Sequence, residues 1–561
     1  MPIPDPRATL DRMTATGGVP SFIDVRDDTQ SPPPRWLIVV TILAVALGVF
    51  IRFFHLDSKS CWHDEAWTLT QVAGHRVRPF IREQVDRGEI VKARRLQEVQ
   101  RQLEPGASVG TTIAILGSDD AQHPPLYYAI ARLWAQVVGG GQTSLGDARL
   151  VAAIFGMLAL PCAYWLGIEL FDRRRRDVAL VMVAMLALSP VHVLYAQEAR
   201  EYSLWTMAIL LSSAVLVVAL RSGRWQWWLL YALTAALGLY SFTLFMFVQV
   251  AHAMYIAAAT VGWSQRRRAV LWFVVSSIGA VVLFAPWIWQ ILESRQTVGS
   301  QTGWLSRGGG AVFLAKRWAS AIGSLLLDLH PMHLITPATV ASVLVVGVGA
   351  VAGWMRMPRG ARWLTLGLMF VPLLGLALPD LLAGGVRSTQ VRYWMPIYLG
   401  LGIAIAFAIA DARRAWVQKA ALSLVLLAGA VSYVVQDRAA CWWHKGGNEE
   451  FPQLETVLRQ HSRPLLIAHM QTIKAGTLLS FAHHLDPETN VYLLKGNAPP
   501  DIAPDVLSKY DAVFLFIDYA CLTTPLDPDL TARLEHIDQL KMLRRIDDDG
   551  AYHSRAKPTK E

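Results

Sequence analysis

Eleven times along this chain an apolar run of roughly 17 to 23 residues recurs, the length at which an α-helix crosses about 30 Å of hydrocarbon. The runs lie near 36–54, 150–171, 178–196, 203–220, 226–243, 245–262, 269–291, 335–355, 363–382, 393–410 and 418–436. Lipid offers a backbone no hydrogen-bond partners, so such a chain has to fold as a polytopic α-helical membrane protein of about eleven transmembrane helices. Composition agrees, with 53% of 561 residues hydrophobic and only 17% charged. The formal charge of +9 sits mainly in short basic clusters between the apolar runs. Clusters placed this way set orientation in the bilayer, and nucleic acid is not expected as a partner.

Residues 1–35 are polar and Pro-rich and lack the apolar core of a cleavable signal, so they read as a cytosolic tail. The short segment Pro125 to Gly139, PLYYAIARLWAQVVG, decides the topology. If it spans, Arg173 to Arg176 fall outside and every later basic cluster is inverted. If it lies along the interface as an amphipathic helix, all of them fall inside: Arg173 to Arg176, Arg221/Arg224, Arg266 to Arg268, Arg356/Arg359/Arg362 and Arg413/Arg414/Lys419. The second arrangement is adopted, with a transmembrane domain over 36–436, a large external loop over 55–149 and the C-terminus outside. Within that loop the basic stretch from Arg76 to Arg101 has helical periodicity and predicts a surface helix, as does Ala311 to Leu329. Beyond Gln436 the runs shorten to RPLLIAHM, NVYLLKG and DAVFLFID, lengths that suit strands, and 437–561 reads as a small extracytoplasmic α/β domain. Four cysteines, Cys61, Cys162, Cys441 and Cys521, are too few for a disulfide framework. All but Cys162 face outside, leaving one bridge or buried thiols equally open.

This topology gathers the unusual polar residues on one side. CWHDEAW opens the first loop with Asp64 and Glu65, and QHPPLYY closes it with His123. The third span leads out into SPVHVLYAQEAREY, and the tenth begins with VRYWMP. Taken singly, a carboxylate here is solvated, an arginine is an interfacial anchor, and Trp62, Trp67, Tyr127 and Tyr393 form an aromatic belt. His63, His123 and His192 lack metal-ligand spacing such as HExxH and read as hydrogen-bonding groups. Their common sidedness argues for function, because ionisable groups at a membrane boundary are costly to desolvate.

The Asp64–Glu65 pair after the first span, HPPLYY, YAQEAREYSL and the later RYWMP together resemble the GT-C membrane glycosyltransferases. The branch most similar contains protein O-mannosyltransferases and bacterial aminoarabinose or lipid-linked glycosyltransferases, and the resemblance covers approximately 36–410. It implies a polyprenyl-phosphate-linked sugar donor and inverting hexosyl or pentosyl transfer to a lipid, glycan or protein hydroxyl at the extracytoplasmic face of a bacterial inner or plasma membrane. Asp64 matches the family's general base, with Glu65 supporting it and Glu198 in place of a second, usually aspartate, acid. Arg200 and Arg392 match donor-phosphate ligands, and His123, Tyr202, Arg387 and Tyr393 complete the substrate-binding set. His123 replaces a lysine common in aminoarabinose-transferring relatives, which leans away from that donor. A divalent cation near Asp64, Glu65 and Glu198 is compatible with the family but has no assigned ligands. The competing expectation is a transporter or flippase of lipid-linked saccharides, which needs no carboxylate pair and would show repeated halves.

Overall fold

The computed structural model describes residues 32–172, 175–260, 262–330, 334–445, 448, 451–470, 474–494, 506, 508–516 and 540–543. Nearly all of the expected tail, and Arg173, Arg174 and Cys521, lie outside the described residues. From α1 (Arg35–Phe53) the chain runs through α2 (His63–Ala73), α3 (Val77–Arg87), β1 (Ile90–Lys92), α4 (Ala93–Arg101), α5 (Val109–Asp119) and α6 (Leu126–Val137). It continues in α7 (Leu145–Leu170), α8 (Arg176–Leu188), α9 (Pro190–Ala196), α10 (Tyr202–Ser222), α11 (Trp225–Ser241), α12 (Phe245–Ala259), α13 (Trp263–Glu293), α14 (Arg295–Thr302) and α15 (Ala311–Gly323). The last long helices are α16 (Pro337–Arg356), α17 (Arg359–Ala383), α18 (Met395–Ala410) and α19 (Ala415–Arg438).

Every expected apolar run is helical. Among the described residues, however, only 8 helices are long and apolar enough to cross a membrane, or 9 if α8 and α9 count as one broken span bent by 57°. The helices α11 and α12 have 17 and 15 residues. At about 1.5 Å per residue they fall short of the roughly 30 Å hydrocarbon core. The central helices are α10 and the span from Val391 to Ala410, each 89% buried. Exposed apolar side chains such as Leu43, Leu283, Val348 and Leu427 cover the outer helices, as lipid contact requires.

The α8–α9 break has a local cause. Pro190 begins α9 and carries no N–H, so the carbonyls at the end of α8 lose their intrahelical donors. Arg52 of α1 replaces them, donating Nη2 to the Leu186 carbonyl at 3.0 Å and Nη1 to that of Ala187 at 2.6 Å. Gly48 permits the approach, since a Cβ there would lie 2.5 Å from the Ala187 oxygen.

The interfacial helix expected at Pro125 to Gly139 is the 12-residue α6, too short to span. Leu133, Val137 and Val138 are exposed, while Arg132 is buried and donates to the carbonyls of Val72 and Ala107. The single surface helix expected over Arg76 to Arg101 is instead broken. Gly88, at φ 62°, ends α3, and β1 pairs antiparallel with the strand β3 (Asn490–Leu494) through Ile90↔Tyr492 and Lys92↔Asn490. The second expected surface helix, α15, ends at Gly323 and not at Leu329.

The C-terminal strands β2 (Pro464–His469), β3, β4 (Ala512–Phe516) and β5 (Leu540–Leu543) form a parallel sheet completed by β1 in the order β1-β3-β2-β4-β5. Their near-continuous apolar runs suit strands covered on both faces. The helices α20 (Phe451–Arg459) and α21 (Ala475–Ala482) flank the sheet in sequence. Leu466, Phe481 and Phe514 share one apolar core with Ala66, Leu69, Leu96 and Val99 of the first loop. The sheet region and the loop carrying Asp64 are therefore packed as one body.

The basic clusters lie at the helix ends away from Asp64. Asp411 bridges Arg175 and Arg356 at 3.4 and 3.5 Å, and Arg221 pairs with Glu169.

Candidate active site

The helix α2 starts at His63 because Glu65, three residues after Trp62, turns back to accept the Trp62 N–H at 3.0 Å. Both acids thereby sit in a first turn, where the helix dipole favours negative charge. Glu65 is fully buried and saturated. It accepts Arg149 Nε and Nη2, each at 2.8 Å, the Ala199 N–H at 2.9 Å, and the Lys445 ammonium. Arg149 also donates to the carbonyls of Leu56, Lys59 and Ser60. Burial would raise the Glu65 carboxyl, but Arg149 and Lys445 outweigh it and hold it far below the ordinary range.

Asp64 keeps 21% exposure and has one cation in contact, Arg392 Nη1 at 3.4 Å. Burial pushes its carboxyl up, yet Arg392, Arg200, His63 and His123 together hold it at about 2. It is a carboxylate at any physiological pH. Arg392 stands 5.4 Å from the Trp62 ring centroid and 5.5 Å from that of Tyr393, two cation–π contacts that fix the guanidinium while leaving N–H groups unspent.

Arg200 is more fully engaged. It donates to the Asp64 carbonyl at 3.3 Å and Thr68 Oγ1 at 3.2 Å, touches the His123 ring at 3.0 Å, and lies 3.4 Å from Glu201. Glu201 also meets His123 Nδ1 at 2.7 Å and accepts the Tyr128 hydroxyl at 3.3 Å. Burial raises the Glu201 carboxyl, but Arg200 and His123 bring it to about 2.

Glu198, Tyr202 and His444 form a third group. His444 Nε2 lies 3.2 Å from Glu198 Oε2, and the Tyr195 ring connects His444 at 5.8 Å to Tyr202 at 5.1 Å. Tyr393 stands beside Arg392, at 5.5 Å, and against Phe242, at 5.7 Å. Arg387 is occupied elsewhere: Asp380 holds it at 3.0 Å, with Ser306 and the Gly384 carbonyl, in the loop leading to Arg392.

The aromatic-belt expectation fails for residues that the protein itself uses. Trp62 lies against Arg392, Trp67 packs beside Gly476 of α21, and Tyr127 is buried with its hydroxyl donating to the Ala148 carbonyl at 2.7 Å. Cys61 and Cys162 are free thiols, and Cys441 Sγ sits 3.3 Å from the Lys445 carbonyl oxygen. Among the described residues no three His, Cys, Asp or Glu side chains converge as a metal site, and the Glu65 oxygens are already taken. The Glu65 carboxylate therefore has no oxygen free for a divalent cation.

The site contains four residues absent from the sequence expectation: Arg149, Glu201, His444 and Lys445. Glu201 lay inside the YAQEAREY stretch. Lys445 carries no such signal, because it meets Glu65 from 380 residues away.

Among solved structures the chain is similar to the Archaeoglobus fulgidus oligosaccharyltransferase tethered to an acceptor peptide, at 12% identity and TM-score 0.46, covering 90% of this chain and 68% of that one. It is similar also to apo ArnT from Cupriavidus metallidurans, at 13% identity and TM-score 0.48, covering 90% and 93%. Residues 122–289, which carry His123, Glu198, Arg200, Glu201 and Tyr202, match the family described as dolichyl-phosphate-mannose-protein mannosyltransferase. No curated protein matches it. Asp64 and Arg392 lie outside the matched segment and join it only in space.

Proposed function

We propose that this protein is a GT-C-type inverting glycosyltransferase that moves a monosaccharide from a polyprenyl-phosphate carrier to an acceptor hydroxyl at the extracytoplasmic membrane face. The observation that carries this reading is the contact between Asp64, a partly exposed permanent carboxylate, and Arg392, a guanidinium with donors to spare. A proton acceptor and a phosphate site are adjacent.

Arg392 binds the carrier phosphate through charge-assisted bonds. That draws Arg392 charge away from Asp64 and makes the carboxylate more basic just when donor is present. The acceptor oxygen attacks the anomeric carbon, and its proton passes to Asp64 as the bond forms. The bond from that carbon to the phosphate oxygen breaks on the opposite side, and its electron pair leaves with the phosphate, where Arg392 stabilises the added charge. Attack from that side inverts the centre. Glu65 positions Asp64: held by Arg149, Lys445 and two backbone N–H groups, it locks the first turn of α2. Sidedness follows from the basic clusters at the far helix ends, which the positive-inside rule places in the cytoplasm.

The test is transfer by purified protein from a panel of polyprenyl-phosphate sugars to acceptors in native membrane extract. Sugar should leave the carrier with inversion and in an acceptor-dependent manner. Binding of every carrier without any transfer would favour a flippase.

A further inference from the structure

Buried polar groups are nearly always paired, so a group of unpaired ones asks what fills the space between them. Both carboxyl oxygens of Glu198, both ring nitrogens of His444 and the Tyr202 hydroxyl lack a hydrogen-bond partner. These three residues are 0%, 7% and 0% exposed. The 3.2 Å approach of His444 Nε2 to Glu198 Oε2 does not have hydrogen-bond geometry. Glu198 and Tyr202 lie close together, in the loop after α9 and at the start of α10, and His444 comes from the segment after α19.

This group borders the catalytic pair. Tyr202 leads through Phe242, at 6.0 Å, to Tyr393, which flanks Arg392. Tyr195 and Tyr202 supply ring faces beside the polar atoms. Burial pushes the Glu198 carboxyl up to about 8, and burial with Lys445 pushes the His444 ring well down.

We infer that Glu198, His444 and Tyr202 form a hydrogen-bonding pocket for the hydroxyls of the transferred sugar, which selects a neutral sugar over an amino sugar or a uronic acid. The inference rests on the glycosyl-transfer reading and names its donor class. A neutral polyol presents donors and acceptors to match the unpaired atoms. An ammonium group would add a second positive charge beside Lys445, which already acts on both Glu198 and His444. A uronate would meet the Glu198 carboxyl, and Lys445, the foremost cation acting on that carboxyl, is already bonded to Glu65.

The test compares affinities of full-length purified protein for bare polyprenyl phosphate and for the same lipid phosphate carrying a neutral hexose, an amino sugar or a uronic acid. The neutral sugar should tighten binding about tenfold over the bare carrier, as two or three net hydrogen bonds provide. Glu198→Ala and Tyr202→Phe should each remove at least about threefold of that gain while leaving bare-carrier affinity, the control for folding, unchanged. Glu198→Gln, a neutral isostere, should restore most of it. Three results would overturn the inference: tighter binding of a charged sugar, loss of the gain in Glu198→Gln as in Glu198→Ala, or equal loss of bare carrier in all three variants. If the sugar gain appears but wild type transfers nothing, the pocket stands and the transferase reading falls. If wild type transfers and the variants keep the full gain, the reverse holds.

Discussion

Asp64 and Glu65 are covalent neighbours in one helical turn, yet they belong to two different halves of the site. The half around Glu65 is closed, with every carboxyl oxygen bonded and both cationic partners, Arg149 and Lys445, fully buried. The half around Asp64 is open, with one cation at 3.4 Å and access to solvent. Sequence adjacency therefore says little about role. A saturated carboxylate can position but cannot take a proton, whereas an under-coordinated one can.

The largest expected effect separates the halves directly. Asp64→Asn should lower transfer by about two to four orders of magnitude, the range of a positioned general base, with thermal stability near wild type. Undiminished transfer in that variant would move the base elsewhere. Arg149→Met should do the opposite, leaving Glu65 buried beside Lys445 alone, and should cost about 3–5 kcal/mol of stability as breaking a buried pair does. A denaturation midpoint equal to wild type would show that the closed half is not closed.

Arg392→Ala sits at the border. Losing charge-assisted phosphate bonds should weaken donor affinity by about ten- to a hundredfold. The acidic limb of kcat/KM reports the free enzyme's base. Arg392 is the foremost of the groups lowering the Asp64 carboxyl to about 2, so its removal should shift that limb toward neutral pH. A limb that stays in place while affinity falls would leave Arg392 a phosphate ligand but detach it from the base.

The open half was the more legible in the sequence, for a physical reason. Asp64, His123, Arg200 and Arg392 lie in short polar stretches beside apolar helices, and helix length with loop charge is enough to bring such stretches to one end. The closed half depends on pairing across the chain. Arg149 opens a span and Lys445 follows the last one, and neither stands in a periodic pattern that points at Glu65. Strand β1 was hidden in the same way, because three residues, Ile90 to Lys92, continue a helix-like rhythm until β3 pairs with them. The aromatic residues misled for a related reason: hydropathy places Trp67 and Tyr127 near the interface but does not reveal that protein, not lipid, covers them.

The smallest effect concerns acid. Glu201 belongs to the closed side in character, 0% exposed between Arg200 and His123, with burial outweighed and its carboxyl at about 2 against an ordinary 4.5. A folded value below the unfolded one adds stability that is complete above the unfolded value and is lost as pH falls through the folded one. Stability should therefore decline between about pH 4.5 and 2, a window these values set. Glu201→Gln should be less stable at neutral pH, because Arg200 loses its counter-charge, and should show a shallower decline across that window in thermal denaturation. Asp64→Asn, taken from the open half, should change the slope less, since its partly exposed charge is screened by solvent. Equal flattening by the two variants would mean that the open half is, in solution, as tightly held as the closed one.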